Sequence, residues 1–309
     1  MNLTKQELDI LISLAKRVMW DKPEVRAKLQ KEMVNIVPCN FYSQTPSIEE
    51  IEQSFEYRNP DQPVYEKLFD HDSMSEFCEL LKPYALEFNP PVEGDLKEPK
   101  GYFWNNPAFS HLDAMVYYCM IRYFKPNKIL EIGSGFSTLV ANEAIKKNGF
   151  GEVISIEPFP MPFLTSIECV TQIIEKKVQD IPVSELVELI EDVDLWFIDS
   201  THTVKIGSDC LYIYLKVMPE IQSPTLVHTH DITLPQGMNR QKALEKQIYW
   251  TEQYLLYAYL LDNHKADVVF GSNYCYLYMS GIAEKLMNDR WNSYGGSIWY
   301  TLNMNNQER

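Results

Sequence analysis

The sequence predicts an α/β protein: an open, mainly parallel sheet with helices on both faces, preceded by a helical N-terminal cap. Three observations carry this reading. From about residue 110, short apolar runs of strand length alternate with longer helical stretches, the pattern of parallel strands joined by crossover helices. A turn with two glycines, Gly133 and Gly135, stands between the first of those strands and the helix after it. The run from Leu195 to Ile198 is apolar at every position, as a strand covered on both faces requires.

Residues 1–100 read as helical and irregular. Thr4 and Glu7 have the spacing of a capping box, in which each side chain accepts from the other residue's backbone N–H. Leu8, Leu11, Ala15 and Met19 then share one helical face, and prolines from Pro38 to Pro91 interrupt the rest of this section. It cannot form a βαβ unit, so it is expected to cap the main domain of residues 101–302, with 303–309 as a tail. In that domain the pattern predicts a helix over 113–123, a strand over 128–132 and a helix over 137–147 with Gly149 as its C-terminal cap. Strands come next at 153–156, 171–175, 195–198 and 226–229. A single long helix is expected over 241–261, then strands at 266–270 and 297–302.

Composition narrows the partners. With 309 residues, 45% of them hydrophobic and 23% charged, the chain can bury a full core in one large domain plus an appendage. A formal charge of −15 argues against nucleic acid and against an anionic membrane as partners. The six cysteines have neither metal-clip nor redox spacing and read as reduced thiols. The N-terminus lacks a signal pattern, and the densest apolar run, 254–261, is too short to span a bilayer. A cytoplasmic protein is expected; self-association is left open.

The chemistry starts at Glu131-Ile132-Gly133-Ser134-Gly135-Phe136-Ser137-Thr138. The glycines permit a tight turn and close approach of a ligand, and the helix after them offers free N–H groups. A tight turn without a ligand has the same glycines. Glu157, 24 residues after Gly133 and at the end of the second strand, favours the nucleoside reading, because an acid there can accept both ribose hydroxyls. A dinucleotide fingerprint would have a third glycine where this chain has Thr138. Glu131, two residues before Gly133, suits a cationic ligand.

These residues resemble motif I of the class I S-adenosylmethionine-dependent methyltransferases. Further segments resemble the family 24-type enzymes: Phe103-Trp104-Asn105-Asn106-Pro107-Ala108-Phe109-Ser110, Phe197-Ile198-Asp199-Ser200-Thr201-His202, Val227-His228-Thr229-His230-Asp231-Ile232 and Trp250-Thr251-Glu252-Gln253-Tyr254-Leu255-Leu256. The resemblance implies a Rossmann-like sheet of seven strands with the last antiparallel, and S-adenosylmethionine as cofactor. It implies that Glu131, Gly133, Ser134, Gly135, Ser137 and Thr138 bind the cofactor. Glu157 would hold the ribose and Asp180 would face the adenine. Asp199 would stand near the reacting methyl, and Trp104 and Asn105 would close over the ligand.

Asp199 and Asp231 end the fourth and fifth strands, with His202 and His230 beside them. The expected role of this group is proton removal from a hydroxyl acceptor, with His202 as first base, His230 as second and Asp199 between them. Asp199, Asp231 and His230 are the ligands if a divalent metal is used. Catechol-type enzymes have an asparagine after the second acid, whereas this chain has Ile232, so metal-free catalysis is favoured. His228 reads as a hydrogen-bonded core histidine. The acceptor is expected to be a small molecule, a sugar or a natural product. The link 271–296, rich in Tyr and Trp, is expected to form a lid over it with Gly295-Gly296 as hinge. The alternatives are a nicotinamide-dependent oxidoreductase and a catalytically silent nucleoside-binding protein.

Overall fold

The computed structural model describes residues 3–59, 62–109 and 111–304, so Ser110 and the tail residues 305–309 lie outside the described part. The N-terminal section holds helices α1 (Lys5–Val18), α2 (Pro23–Lys31), α3 (Ile48–Gln53) and α4 (His71–Glu87). The Thr4–Glu7 capping box forms as expected. Packing follows less closely. No residue of α1 is buried, and Leu8 and Leu11 stay 44% and 49% exposed. Pro83 does not end a helix but lies inside α4, which buries Met74, Cys78, Leu81 and Ala85. Burial of that face outweighs the loss of one backbone hydrogen bond.

The main domain runs α5 (Leu112–Phe124), β1 (Lys128–Ile132), α6 (Phe136–Asn148), β2 (Glu152–Ile156), β3 (Val170–Ile174), α7 (Val183–Glu191), β4 (Leu195–Ile198), α8 (Asp209–Tyr212), β5 (Thr225–His230), α9 (Arg240–Lys246), α10 (Glu252–Leu260), β6 (Ala266–Gly271), α11 (Ser272–Tyr278), α12 (Ser280–Leu286) and β7 (Ser297–Leu302). The sheet order is β3-β2-β1-β4-β5-β7-β6, with β7 antiparallel to both neighbours and the other pairings parallel. This is the predicted seven-stranded topology. The order reverses between β1 and β4, the place where open α/β sheets bind ligands. Side chains alternate across the sheet. Leu195 and Phe197 pack under α5 and α6, while Trp196 and Ile198 join the core on the other face with Tyr214, Leu256 and Tyr300.

One expectation changes. The long helix over 241–261 is broken into α9 and α10, because Gln247 is left-handed at φ 53° and the N–H groups of Thr251 and Glu252 donate to His202 O. The link after β6 has regular structure of its own. It folds into α11 and α12, which bury Cys275, Ala283 and Leu286, while Tyr274 stacks on Phe69 at 4.8 Å and Trp291 on Trp104 at 5.3 Å. Gly296 is held on both sides: its N–H donates to Asp113 and its C=O accepts from Ile232.

Candidate active site

Register decides which residues meet. Ile132, at the end of β1, pairs with Ile156 of β2 and with Ile198 of β4, so Gly133, Glu157 and Asp199 leave the sheet side by side. β5 pairs with β4 and delivers His230 and Asp231 beside Asp199. A cavity of about 500 Å³ runs along this edge, lined among others by Gly133, Glu157, Phe159, Val178, Gln179 and Asp199.

The β1–α6 turn contributes Gly133 to it. Gly133 has φ +81°, and a Cβ there would lie 2.2 Å from Asp199 O, so only glycine fits. A Cβ on Gly135 would meet nothing within 4 Å among the described residues. The turn is held from beneath. Glu131 is fully buried and accepts from Tyr117 Oη at 2.9 Å and Thr138 Oγ1 at 2.5 Å; Thr138 Oγ1 accepts from Gly135 N at 3.1 Å. Burial pushes the Glu131 carboxyl up to about 7, against the pull of those donors. Glu131 therefore braces the turn and is not on the cavity wall, and Ser137 is likewise buried. Glu157 accepts from Ser134 N at 3.4 Å and Phe159 N at 2.8 Å, and Ser134 Oγ accepts from Ser155 Oγ at 2.7 Å.

Three predicted residues stand elsewhere. Asp180 is exposed on a short 3-10 turn whose preceding residues, Lys177 to Gln179, make the wall instead. Trp104 is 1% exposed among Phe88, Tyr102 and Trp291, since a large indole is drawn into the core. Asn105 is exposed and bonds Glu93.

Beside Asp199, and not on the cavity wall, both imidazoles stand between carboxylates. His202 Nδ1 lies 2.8 Å from Glu252 Oε2, and its Nε2 lies 3.1 Å from Asp199 Oδ1 and 3.5 Å from Asp231 Oδ2. His230 Nε2 lies 3.7 Å from Asp113 Oδ2, and its Nδ1 lies 3.5 Å from Asp199 Oδ1 and 3.9 Å from Asp231 Oδ2. Burial disfavours charge on both rings, but the carboxylates outweigh it. Asp199 and Glu252 push His202 up to about 10, and Asp199 and Asp113 raise His230 well above its usual value. Burial would raise the Asp199 carboxyl too, yet His230 and His202 hold it well below the usual range. The carboxylates therefore favour the protonated form of both rings. His202 and Asp231 also have left-handed backbones, φ 58° and 54°, a strain that clusters at functional sites.

Sequence reasoning missed Asp113 and Glu252. Asp113 lies early in α5 and holds Ser297 Oγ at 2.6 Å and Gly296 N at 2.8 Å. Glu252 was hidden in the supposed long helix. The one available signal was that each acid interrupts a strongly apolar stretch. His228 is a core residue as expected but without a hydrogen bond: neither ring nitrogen has a partner among the described residues, the ring stacks on Phe197 at 4.6 Å, and burial pushes it down to about 3. Asp199, His230 and Asp231 can each offer one ligand atom with all three within 4.8 Å, and His230 Nδ1 has no hydrogen-bond partner among the described residues. On the outer side Trp250 tilts against His202 at 4.9 Å, and Lys242 Nζ lies 4.3 Å above the Trp250 ring. Among the described residues no helix is long and apolar enough to cross a membrane.

Residues 130–232 match a family model described as a methyltransferase domain. An uncharacterised protein of Archaeoglobus fulgidus is 33% identical over 165 residues, covering 50% of this chain and 74% of that protein. Among solved structures, the O-methyltransferase TomG of Streptomyces achromogenes, involved in tomaymycin synthesis and in complex with S-adenosylmethionine, aligns at TM-score 0.37 and 11% identity, covering 77% of this chain and 92% of its own. The Bacillus cereus O-methyltransferase in complex with S-adenosylhomocysteine aligns at 0.37 and 13%, covering 77% and 94%.

Proposed function

We propose that this chain, whose residues 130–232 match the methyltransferase domain model, moves a methyl group from S-adenosylmethionine to a hydroxyl oxygen of a small-molecule acceptor. The observation that carries this reading is a cavity lined by Gly133, Glu157 and Asp199, with His202 Nε2 3.1 Å from Asp199 Oδ1. The fit rests on this chain's own features. Gly133 keeps the backbone open, the space beyond Gly135 is empty among the described residues, and Glu157 presents a carboxylate on the wall. When bound, the cofactor supplies a methyl on a sulfonium, already an excellent leaving group. The protein's work is then to orient the acceptor and take its proton.

His202 is the proposed proton acceptor. Nε2 faces Asp199 and Asp231, and Trp250 beside it offers a flat surface for a sugar or aromatic ring. Asp199 and Glu252 favour the protonated ring, and only the deprotonated form can act, so kcat/KM should rise with pH toward about 10.

A second reading is favoured by one observation: His230 Nδ1 has no hydrogen-bond partner among the described residues and faces two carboxylates, with Asp113 behind Nε2. A metal-bound imidazole has this backing. Asp199, Asp231 and His230 would hold a divalent cation, which would polarise the acceptor oxygen.

The test is turnover on hydroxylated sugars and phenols, with and without EDTA. We expect activity to persist in EDTA. His202→Ala should lower kcat by about two to four orders of magnitude and remove the alkaline limb. Activity lost in EDTA and restored by magnesium would overturn the metal-free reading. Thermal shifts with S-adenosylhomocysteine, NAD and NADP address the cofactor. A shift with NAD alone would favour the oxidoreductase, and a shift with S-adenosylhomocysteine but no turnover would favour a silent binder.

A further inference from the structure

We propose that Glu252 is a positioning residue for His202: it fixes the imidazole so that Nδ1–H points into the protein and Nε2 points at the reacting edge. This rests on the reading of His202 as proton acceptor.

Glu252 is 1% exposed and stands in the first turn of α10. Its carboxylate is filled by three donors. Oε1 accepts from Tyr214 Oη at 2.8 Å, and Oε2 accepts from Ser200 Oγ and from His202 Nδ1, each at 2.8 Å. A buried carboxylate needs such partners, and the ring it touches is that of His202. The contact is reinforced through the backbone. His202 O accepts from Thr251 N at 2.8 Å and Glu252 N at 3.1 Å, and His202 N donates to Ser200 Oγ at 3.1 Å. The same short segment therefore grips the ring and the left-handed main chain that carries it.

The surrounding structure is shaped for this contact. The break between α9 and α10 brings Thr251 and Glu252 to His202. A π-helical turn, Ile213–Val217, carries Tyr214, and such turns are frequent at functional sites. A purely structural role, as an acid stabilised at a helix N-terminus, would need none of these contacts with His202. With Nδ1 tied to Glu252, Nε2 is the nitrogen left for Asp199, Asp231 and the acceptor. This is the logic by which a carboxylate sets ring orientation and tautomer in proton-transferring histidines.

The test is Glu252→Gln in the full chain, read three ways. Affinity for S-adenosylhomocysteine by calorimetry should stay within about twofold, since Glu252 does not line the cofactor cavity. The downfield Nδ1–H proton resonance, assigned by its loss in His202→Ala, should shift or vanish. The kcat should fall about ten- to a hundredfold, the scale for losing a partner that orients an active side chain. An unchanged resonance with unchanged kcat would overturn the proposal, and so would a parallel loss of cofactor affinity, the mark of a structural role. If Glu252→Gln does not fold, Tyr214→Phe carries the test. It leaves Glu252 one donor fewer, so the resonance should move further downfield, and an unmoved resonance overturns the proposal. Should His202→Ala retain full turnover, the base reading fails while the resonance still decides whether Glu252 orients the ring.

Discussion

Around the Gly133 turn and Glu157 several polar contacts join residues close in sequence, whereas around His202 and His230 the partners Glu252 and Asp113 arrive from far along the chain. Gly135 bonds Thr138, Glu131 bonds Thr138 and Tyr117, and Glu157 bonds Phe159. By contrast His202 meets Glu252, and Asp113 meets His230 on one side and Ser297 on the other. The first region is a local device: a turn whose conformation is dictated by glycine and by a brace beneath it. The second exists only once β4, β5, β7, α5 and α10 have assembled. The electrostatics differ accordingly. The turn has a buried acid held by neutral donors, and the second region has two imidazoles clamped among four carboxylates.

The largest expected effect on cofactor affinity falls at the turn. Gly135→Val places a branched side chain where a Cβ meets nothing within 4 Å among the described residues, so the protein should fold. The new methyls would stand in the ligand's space. Affinity for S-adenosylhomocysteine should drop by at least about a hundredfold, close to 3 kcal/mol, with a melting temperature near that of the wild type. Unchanged affinity would mean that the open side of the turn is not the cofactor site.

Glu131→Gln probes the brace. Burial raises this carboxyl from 4.5 to about 7, so the folded state holds the proton more tightly than the unfolded chain does. The stability it contributes is full below pH 4.5 and is lost as pH rises through about 7, a change of about 3 kcal/mol. Glutamine does not titrate. The difference in unfolding free energy between wild type and variant should therefore change by that order between pH 4 and pH 8, moving in the variant's favour. A pH-independent difference would show that this carboxyl titrates alike in the folded and the unfolded chain.

Legibility in the sequence divides along the same line. The strands were readable because their apolar runs are continuous, and β1, β4 and β7 have the expected bounds. The turn and Glu157 were readable because glycine spacing and strand ends are local properties. Glu252 was not, since periodicity over 241–261 looks helical and gives no sign that Gln247 turns left-handed to meet His202. Nor was the preference of His202 for its protonated form, which depends on two carboxylates contributed by β4 and α10. Trp104 differs for another reason: core packing against Phe88 and Trp291 claims its ring.

The smallest effects separate Glu157, read from the residues as a ribose-binding acid, from Asp180, which only the resemblance set against the adenine and which could equally cap a helix. Glu157 lines the cavity, where two backbone N–H groups hold its carboxylate. Removing it in Glu157→Ala should weaken S-adenosylhomocysteine by about 1–3 kcal/mol, the scale for hydrogen bonds to a charged group. Asp180 comes directly after the lining residues Lys177 to Gln179 and is exposed, so its carboxylate remains hydrated with or without a ligand. Asp180→Ala should therefore change affinity by no more than about 0.5 kcal/mol, as for surface substitutions away from a site. The two variants titrated side by side make the outcome sharp. Equal losses would mean that the 3-10 turn at Val178–Asp180 rearranges to bring Asp180 onto the adenine. A large loss for Asp180 alone would move the nucleoside to that side of the cavity and strip Glu157 of the ribose.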